Sequence, residues 1–172
     1  MSVMTRYAFP EPIVEALPAD ALASAAPHAR FARLALTTLT HDELDVNAAP
    51  FSLTVAPGTG AARDADGKVL VHALAVWFDV EFGGERFAVG GGAPVGGGAA
   101  AASESRVVLD TAPTAPPTHW MHTILLFETP IAAKEGETMR GTISMLRDAR
   151  NPRQYRFTVE VEGGRKQSWH MK

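Results

Sequence analysis

The residues from Tyr155 to Glu162 alternate without a fault. Tyr155, Phe157, Val159 and Val161 are apolar or aromatic, and Arg156, Thr158, Glu160 and Glu162 between them are polar. A period of two puts every second side chain on one face of an extended strand. The same period runs through Phe51, Leu53 and Val55 against Ser52 and Thr54. No long amphipathic helix is written anywhere in the chain. Many short alternating runs between Gly and Pro turns predict an all-β fold, an antiparallel barrel or sandwich.

The pattern predicts strands over residues 31–39, 51–55, 69–82, 106–109, 123–128, 138–147 and 154–162, with one more over 165–171. The 69–82 run is the longest, with Leu70, Leu74, Val76, Phe78, Val80 and Phe82 on one face. Asp66-Gly67 marks the turn before it. Thr40-His41-Asp42-Glu43 has the spacing of a capping box and predicts one helical turn. Residues 1–30 form an extended lead-in, because Pro10, Pro12, Pro18 and Pro27 break any helical period. A short helix over 20–26, with Asp20 as its N-cap, is all they allow. Residues 31–172 then make the β domain. Within it, residues 83–105 hold eight of the 15 glycines and read as a flexible surface loop.

Charge and composition exclude several functions. Sixteen Lys and Arg against 19 Asp and Glu leave a net charge of −3, without the basic footprint of a nucleic-acid binder. No polybasic patch serves an acidic membrane. The longest apolar run, residues 69–78, is too short to span a bilayer and is broken by His72. The first ten residues carry no apolar signal-peptide region. The expectation is a protein of the cytoplasm or nucleus. With no cysteine, there is no disulfide framework, thiolate metal site or cysteine nucleophile.

Candidate chemistry is sparse. The glycine runs at 90–92 and 96–98 lack the Lys-Ser/Thr of a phosphate loop. His119 and His122 would share a metal on a helix but face opposite sides of a strand, and the adjacent prolines favour the strand. No metal site is expected. His41, Asp42, Glu43 and Asp45 read as a solvated cap. His28, His72 and His170 are isolated. The segment from Thr111 to Trp120 stands apart: Pro113, Pro116 and Pro117 stiffen it, and it delivers an imidazole and an indole side by side. Trp120 either packs into the core as the next strand begins or offers its face to a cation.

Several segments, taken in order, resemble the C-terminal half of the protein arginine methyltransferases. Glu11-Pro12-Ile13-Val14 resembles the entry to that family's barrel, and Trp77-Phe78-Asp79-Val80-Glu81-Phe82 its long strand. Thr111-Ala112-Pro113 and Pro117-Thr118-His119-Trp120 resemble its Thr-His-Trp loop. Lys134-x-Gly136-Glu137, Gly141-Thr142-Ile143 and Asn151-x-Arg153 resemble the strands that follow. Asp110, where the family usually has Ser, and Met121-His122, where it has Lys-Gln or a similar pair, depart from its pattern.

The resemblance implies a β-barrel whose lead-in is the remnant of a dimerisation arm, with Met1-Ser2-Val3-Met4 at its end. It implies substrate-binding roles for Thr118, His119 and Trp120. It further implies that His119 is an accessory catalytic group that places carboxylates of another domain, and that Trp120 walls the arginine pocket. The family's S-adenosylmethionine motif, Asp-x-Gly-x-Gly, and its double-glutamate loop are not found in the chain. The expectation is therefore a barrel that binds no cofactor and is inactive alone. Its partners would be arginine-containing protein substrates, a methyltransferase subunit or further copies of itself. The alternative is a standalone binding or regulatory barrel that partners a separate methyltransferase subunit or takes Arg-rich peptides.

Overall fold

The computed structural model describes residues 9–25, 28–82 and 107–172. The glycine-rich segment at 83–105, Arg106 and the first four residues lie outside them. Nine strands follow in order among the described residues: β1 Ile13–Glu15, β2 Val46–Thr54, β3 Val69–Val76, β4 Asp79–Phe82, β5 Val107–Asp110, β6 His122–Ala133, β7 Thr138–Arg147, β8 Tyr155–Val161 and β9 Arg165–Met171. They form a three-stranded sheet in the order β1-β6-β3, a four-stranded sheet in the order β2-β7-β8-β9, and a β4-β5 ribbon. Every pairing is antiparallel. The all-β antiparallel expectation holds.

The two larger sheets share one core. Leu74, Leu125 and Phe127 from the first meet Phe51, Met139, Ile143, Phe157, Val159, Val161 and Trp169 from the second. The residues that alternate inward on β8 are Phe157, Val159 and Val161, as its period requires. Trp169 is wholly buried and donates its indole N–H to the Leu126 carbonyl of the facing sheet at 3.0 Å. Its ring lies 6.0 Å from that of Phe127. The two larger sheets thus pack against each other through side chains.

Four local expectations need correction. Residues 31–39 form no strand. Phe31 packs on the core, but Leu36 is exposed, and Thr38 N–H closes a turn onto the Ala35 carbonyl at 3.0 Å. Apolar content alone does not make a strand: the large residues here, Phe31, Leu34, Leu36 and Leu39, keep no period of two, and no ladder takes the segment up. The 69–82 run is two strands, broken at Trp77 and Phe78. Its buried face also switches, from Val69 to Leu74, at a register shift between Val71 and Ala73 against β6. Of the helix expected at 20–26, the described residues up to Ala25 show a single 3-10 turn, Ala19–Ala21, with Asp20 inside it and Pro18 before it, and Ala26 lies outside them. Beyond that turn the backbone is taken up by β2: Ala25 N–H donates to the Thr54 carbonyl and Ala56 N–H to the Ala23 carbonyl, both at 2.8 Å. The lead-in also gives β1, which pairs with the start of β6.

The expected turn at 40–43 forms as a 3-10 turn, Asp42–Leu44, with Glu43 accepting from the Thr40 N–H at 2.7 Å. Next to it, Asp45 accepts from the Arg147 backbone N–H at 2.8 Å and from its guanidinium at 3.1 and 2.8 Å. These bonds hold the Asp45 carboxyl down at about 2. A depressed carboxyl stabilises the fold above the ordinary carboxylate range, and the contribution is lost as pH falls through its lowered value. Asp45→Asn should therefore lower the urea midpoint at neutral pH, and the gap to the parent should close on approach to pH about 2.

Gly141 faces Phe51 across β2 and Val161 across β8. A Cβ there would stand 2.3 Å from the Glu160 carbonyl oxygen and 2.7 Å from the Phe51 ring. Gly141→Ala should destabilise by about 1–3 kcal/mol, the usual range for overpacking. Gly60→Ala, where a Cβ meets nothing within 4 Å, should stay within about 0.5 kcal/mol of the parent. Urea unfolding followed by circular dichroism reads both.

Candidate functional site

β3 leaves its sheet at Val76, and the chain re-enters a ladder only at Asp79. The gap is held by Thr111. Its buried hydroxyl donates to the Phe78 carbonyl and accepts from the Phe78 N–H at 3.3 Å. A side chain here replaces the missing rungs, as a buried backbone pair requires. Thr111 also opens the Pro-rich connection between β5 and β6. That connection is fixed at its start by Asp110, whose carboxylate accepts from the Ala112 N–H at 2.8 Å, and by a turn in which Ala115 N–H donates to the Ala112 carbonyl at 2.9 Å.

At the far end of the connection, the Thr118 hydroxyl accepts from the Trp120 N–H at 3.1 Å. The His119 and Trp120 rings lie 4.5 Å apart at 36°. Trp120 meets the ring of Phe78 edge-on at 5.3 Å and 77°. Trp120 is 44% exposed, so its indole does not enter the core as β6 begins. Phe78 and Met121 are similarly exposed. The result is a rim of imidazole, indole and phenyl rings, and such π-faces suit a cation or a planar guanidinium.

Beside this rim, Asp79 faces Asp110 across the β4-β5 ribbon. Partial burial pushes the Asp79 carboxyl up, and the charge and hydrogen bond of Asp110 add to it. The Thr111 N–H and the charge of Arg30 pull the other way.

The structure thus brings Thr118, His119 and Trp120 together on the surface. It separates His122 from them: that ring is buried at the first position of β6. His122 Nδ1 accepts from the Leu17 N–H at 2.9 Å, and its Nε2 lies 3.0 Å from the Thr111 carbonyl. Trp77 stands between His122 and His28, with ring centroids 6.5 and 4.9 Å away. The acids of the 41–45 cluster serve the turn and Arg147. Among the described residues, no group of three or more His, Asp or Glu gathers that could hold a metal ion, and no helix is long and apolar enough to cross a membrane. Sequence reading missed the Thr111 suture, the Asp79–Asp110 pair and the His122 node. The one available signal was the two departures, Asp110 and His122, flanking the Pro-rich connection.

A family model described as "Arginine methyltransferase oligomerization subdomain" matches residues 1–164. Curated relatives include the histone-arginine methyltransferase CARMER of Drosophila erecta and the probable histone-arginine methyltransferase CARMER of Drosophila melanogaster. Each is 33% identical over 94 residues, covering 55% of this chain and 14% of the relative. The chain therefore matches a small part of those proteins' length. Among solved structures, the Trypanosoma brucei PRMT1 enzyme-prozyme heterotetrameric complex with AdoHcy superposes with a TM-score of 0.69 and 24% identity. That match covers 97% of this chain and 45% of the other, and it establishes likeness of fold.

The Asp79–Asp110 pair makes a pH prediction. A carboxyl raised in the folded state binds its proton more tightly there than when unfolded. Its contribution is present below the ordinary carboxylate range and is lost as pH rises through the raised value. Asp79→Asn removes the repulsion, so the variant should melt higher than the parent at neutral pH. The difference should vanish below the carboxylate range, as read by calorimetric melts across pH.

Proposed function

Because the chain belongs to the arginine methyltransferase family, through the oligomerization subdomain that covers nearly all of it, we propose that it forms the substrate-side wall of an arginine-methylating site. The loop that carries Thr118, His119 and Trp120 faces the substrate. Trp120 walls the arginine pocket, with the side-chain oxygen of Thr118 holding its backbone. His119 reaches across to orient carboxylates supplied by a cofactor-binding domain. The observation that supports this most is the exposed aromatic cluster in which His119 and Trp120, on a Pro-stiffened connection, lie together and Trp120 meets Phe78 edge-on.

S-adenosylmethionine supplies the methyl group in such a site, and the residues described here do not fit it. The strands are antiparallel, and the helical elements among them are two three-residue 3-10 turns. A strand-to-helix crevice with an open helix N-terminus, the usual seat of such a cofactor, is not formed by these residues. We therefore assign cofactor binding, and the two glutamates that grip the guanidinium, to a domain other than this one. Methylation by this chain alone is not expected. We also place the protein in the cytoplasm or nucleus.

A second reading is a standalone binding module. It is favoured by the apolar residues left exposed along the ribbon and the loop: Phe82, Val107, Val108, Phe78, Trp120 and Met121. Exposed apolar clusters of this kind mark contact surfaces. In that reading the surface pairs with a separate methyltransferase subunit or a further copy of this chain, or it takes Arg-rich peptides directly.

The two readings part in one assay. The chain is supplied with a family cofactor-binding domain, fused or as a separate subunit, and labelled methyl transfer to an Arg-Gly-rich peptide is measured. Transfer should appear only in the combination. Trp120→Ala should lower it by about 10²-fold, the scale of a misplaced reacting group. Equal transfer with Trp120→Ala would reject the loop's role. Peptide capture by the chain alone, without transfer in the combination, would favour the binding module.

A further inference from the structure

We propose that His122 is a positioning residue that ties the N-terminal lead-in to the 111–120 connection and so sets where Trp120 stands. The proposal rests on the reading above, that this loop faces the substrate. Its physical content is a relay of contacts that starts at the buried His122 ring and ends at the exposed Trp120 ring.

A backbone N–H can only donate and a carbonyl can only accept. The Leu17 N–H at His122 Nδ1 therefore requires that nitrogen to be unprotonated, and the Thr111 carbonyl at Nε2 requires a proton there. One neutral tautomer satisfies both partners at once. The ring is 6% exposed, so water does not readily stand in for either partner. Through these two bonds, a segment 105 residues upstream and one 11 residues upstream are clamped to the first residue of β6.

The next link is Thr111. Its hydroxyl fixes the backbone of Phe78, whose ring supports the edge of Trp120. The connection is thus anchored at its start through Thr111 and just past its end by His122 itself, two residues beyond Trp120. Removing the imidazole unties the lead-in and the start of the connection from β6. It leaves a part-buried N–H and a buried carbonyl unmet, next to the ring of Trp77. Glutamine at this position carries one acceptor and one donor on a single planar group, so it can serve Leu17 and Thr111 alike.

The test incorporates 5-fluorotryptophan and assigns the Trp120 fluorine signal by its loss in Trp120→Phe. His122→Ala should move the Trp120 signal. It should also speed amide exchange across residues 112–120 by about tenfold or more, the effect of lost buried hydrogen bonds on a local opening. His122→Gln should restore both. Thr111→Val keeps the His122 bonds but cuts the link to Phe78, so it should move Trp120 as well. Ile143→Val, a core change in the four-stranded sheet, should leave the Trp120 signal in place. An unmoved Trp120 signal in His122→Ala, no rescue by His122→Gln, or an equal shift in Ile143→Val would overturn the proposal. If His122→Ala does not fold, His122→Phe, which fills the same space without either hydrogen bond, decides: a shifted Trp120 signal upholds the proposal and an unshifted one overturns it. These readouts come from the chain alone, so they succeed or fail whether or not the loop lines an arginine site.

Discussion

The structure depends on one buried indole. Trp169 sits near the C-terminus on the outermost strand of the four-stranded sheet, yet its ring is wholly buried against the opposite sheet. Its area supplies apolar contact to Phe127, and its N–H is spent on the Leu126 carbonyl, in the middle of β6. Gln167 donates to the same carbonyl at 3.0 Å. β9 thus holds the facing sheet through side chains where no backbone ladder joins them. Aromatic residues that bury a large area and still find a polar partner suit this role.

With β6 fixed from one side by β9, its own ladder organises the rest. β3 pairs along most of its length and β1 along its start. Where β3 departs, the ladder ends and side chains take over. The Thr111 hydroxyl bonds to Phe78, and the His122 ring bonds to Leu17 and Thr111. The aromatic rim stands on that junction. A rigid core therefore lies a few bonds away from an exposed, Pro-stiffened loop, an arrangement that holds a site without burying it.

How much of this was legible follows from what each signal measures. The period of two reports local burial on one face, so β7, β8 and β9 were readable, as their interiors alternate against a core. The run at 31–39 is apolar without a period of two, and a strand also needs a partner edge, which apolar content does not report. The 69–82 run looked continuous because its residues stay apolar through Trp77 and Phe78. The break is made by Thr111, 33 residues from Phe78. In the sequence His122 stands out only as half of a His pair and as a departure from the family pattern. Its role rests on a backbone group at Leu17, and no side chain there announces it. The presented loop was legible for a different reason: prolines fix local geometry on their own, and Thr118, His119 and Trp120 lie adjacent in the chain.

In the proposed division of labour, this β domain carries the arginine-facing loop and another domain carries the methyl donor. Calorimetric titration of the purified chain with S-adenosylmethionine addresses it most directly. No saturable heat is expected. Saturable one-to-one binding would contradict it, because these strands would then hold a cofactor site of their own.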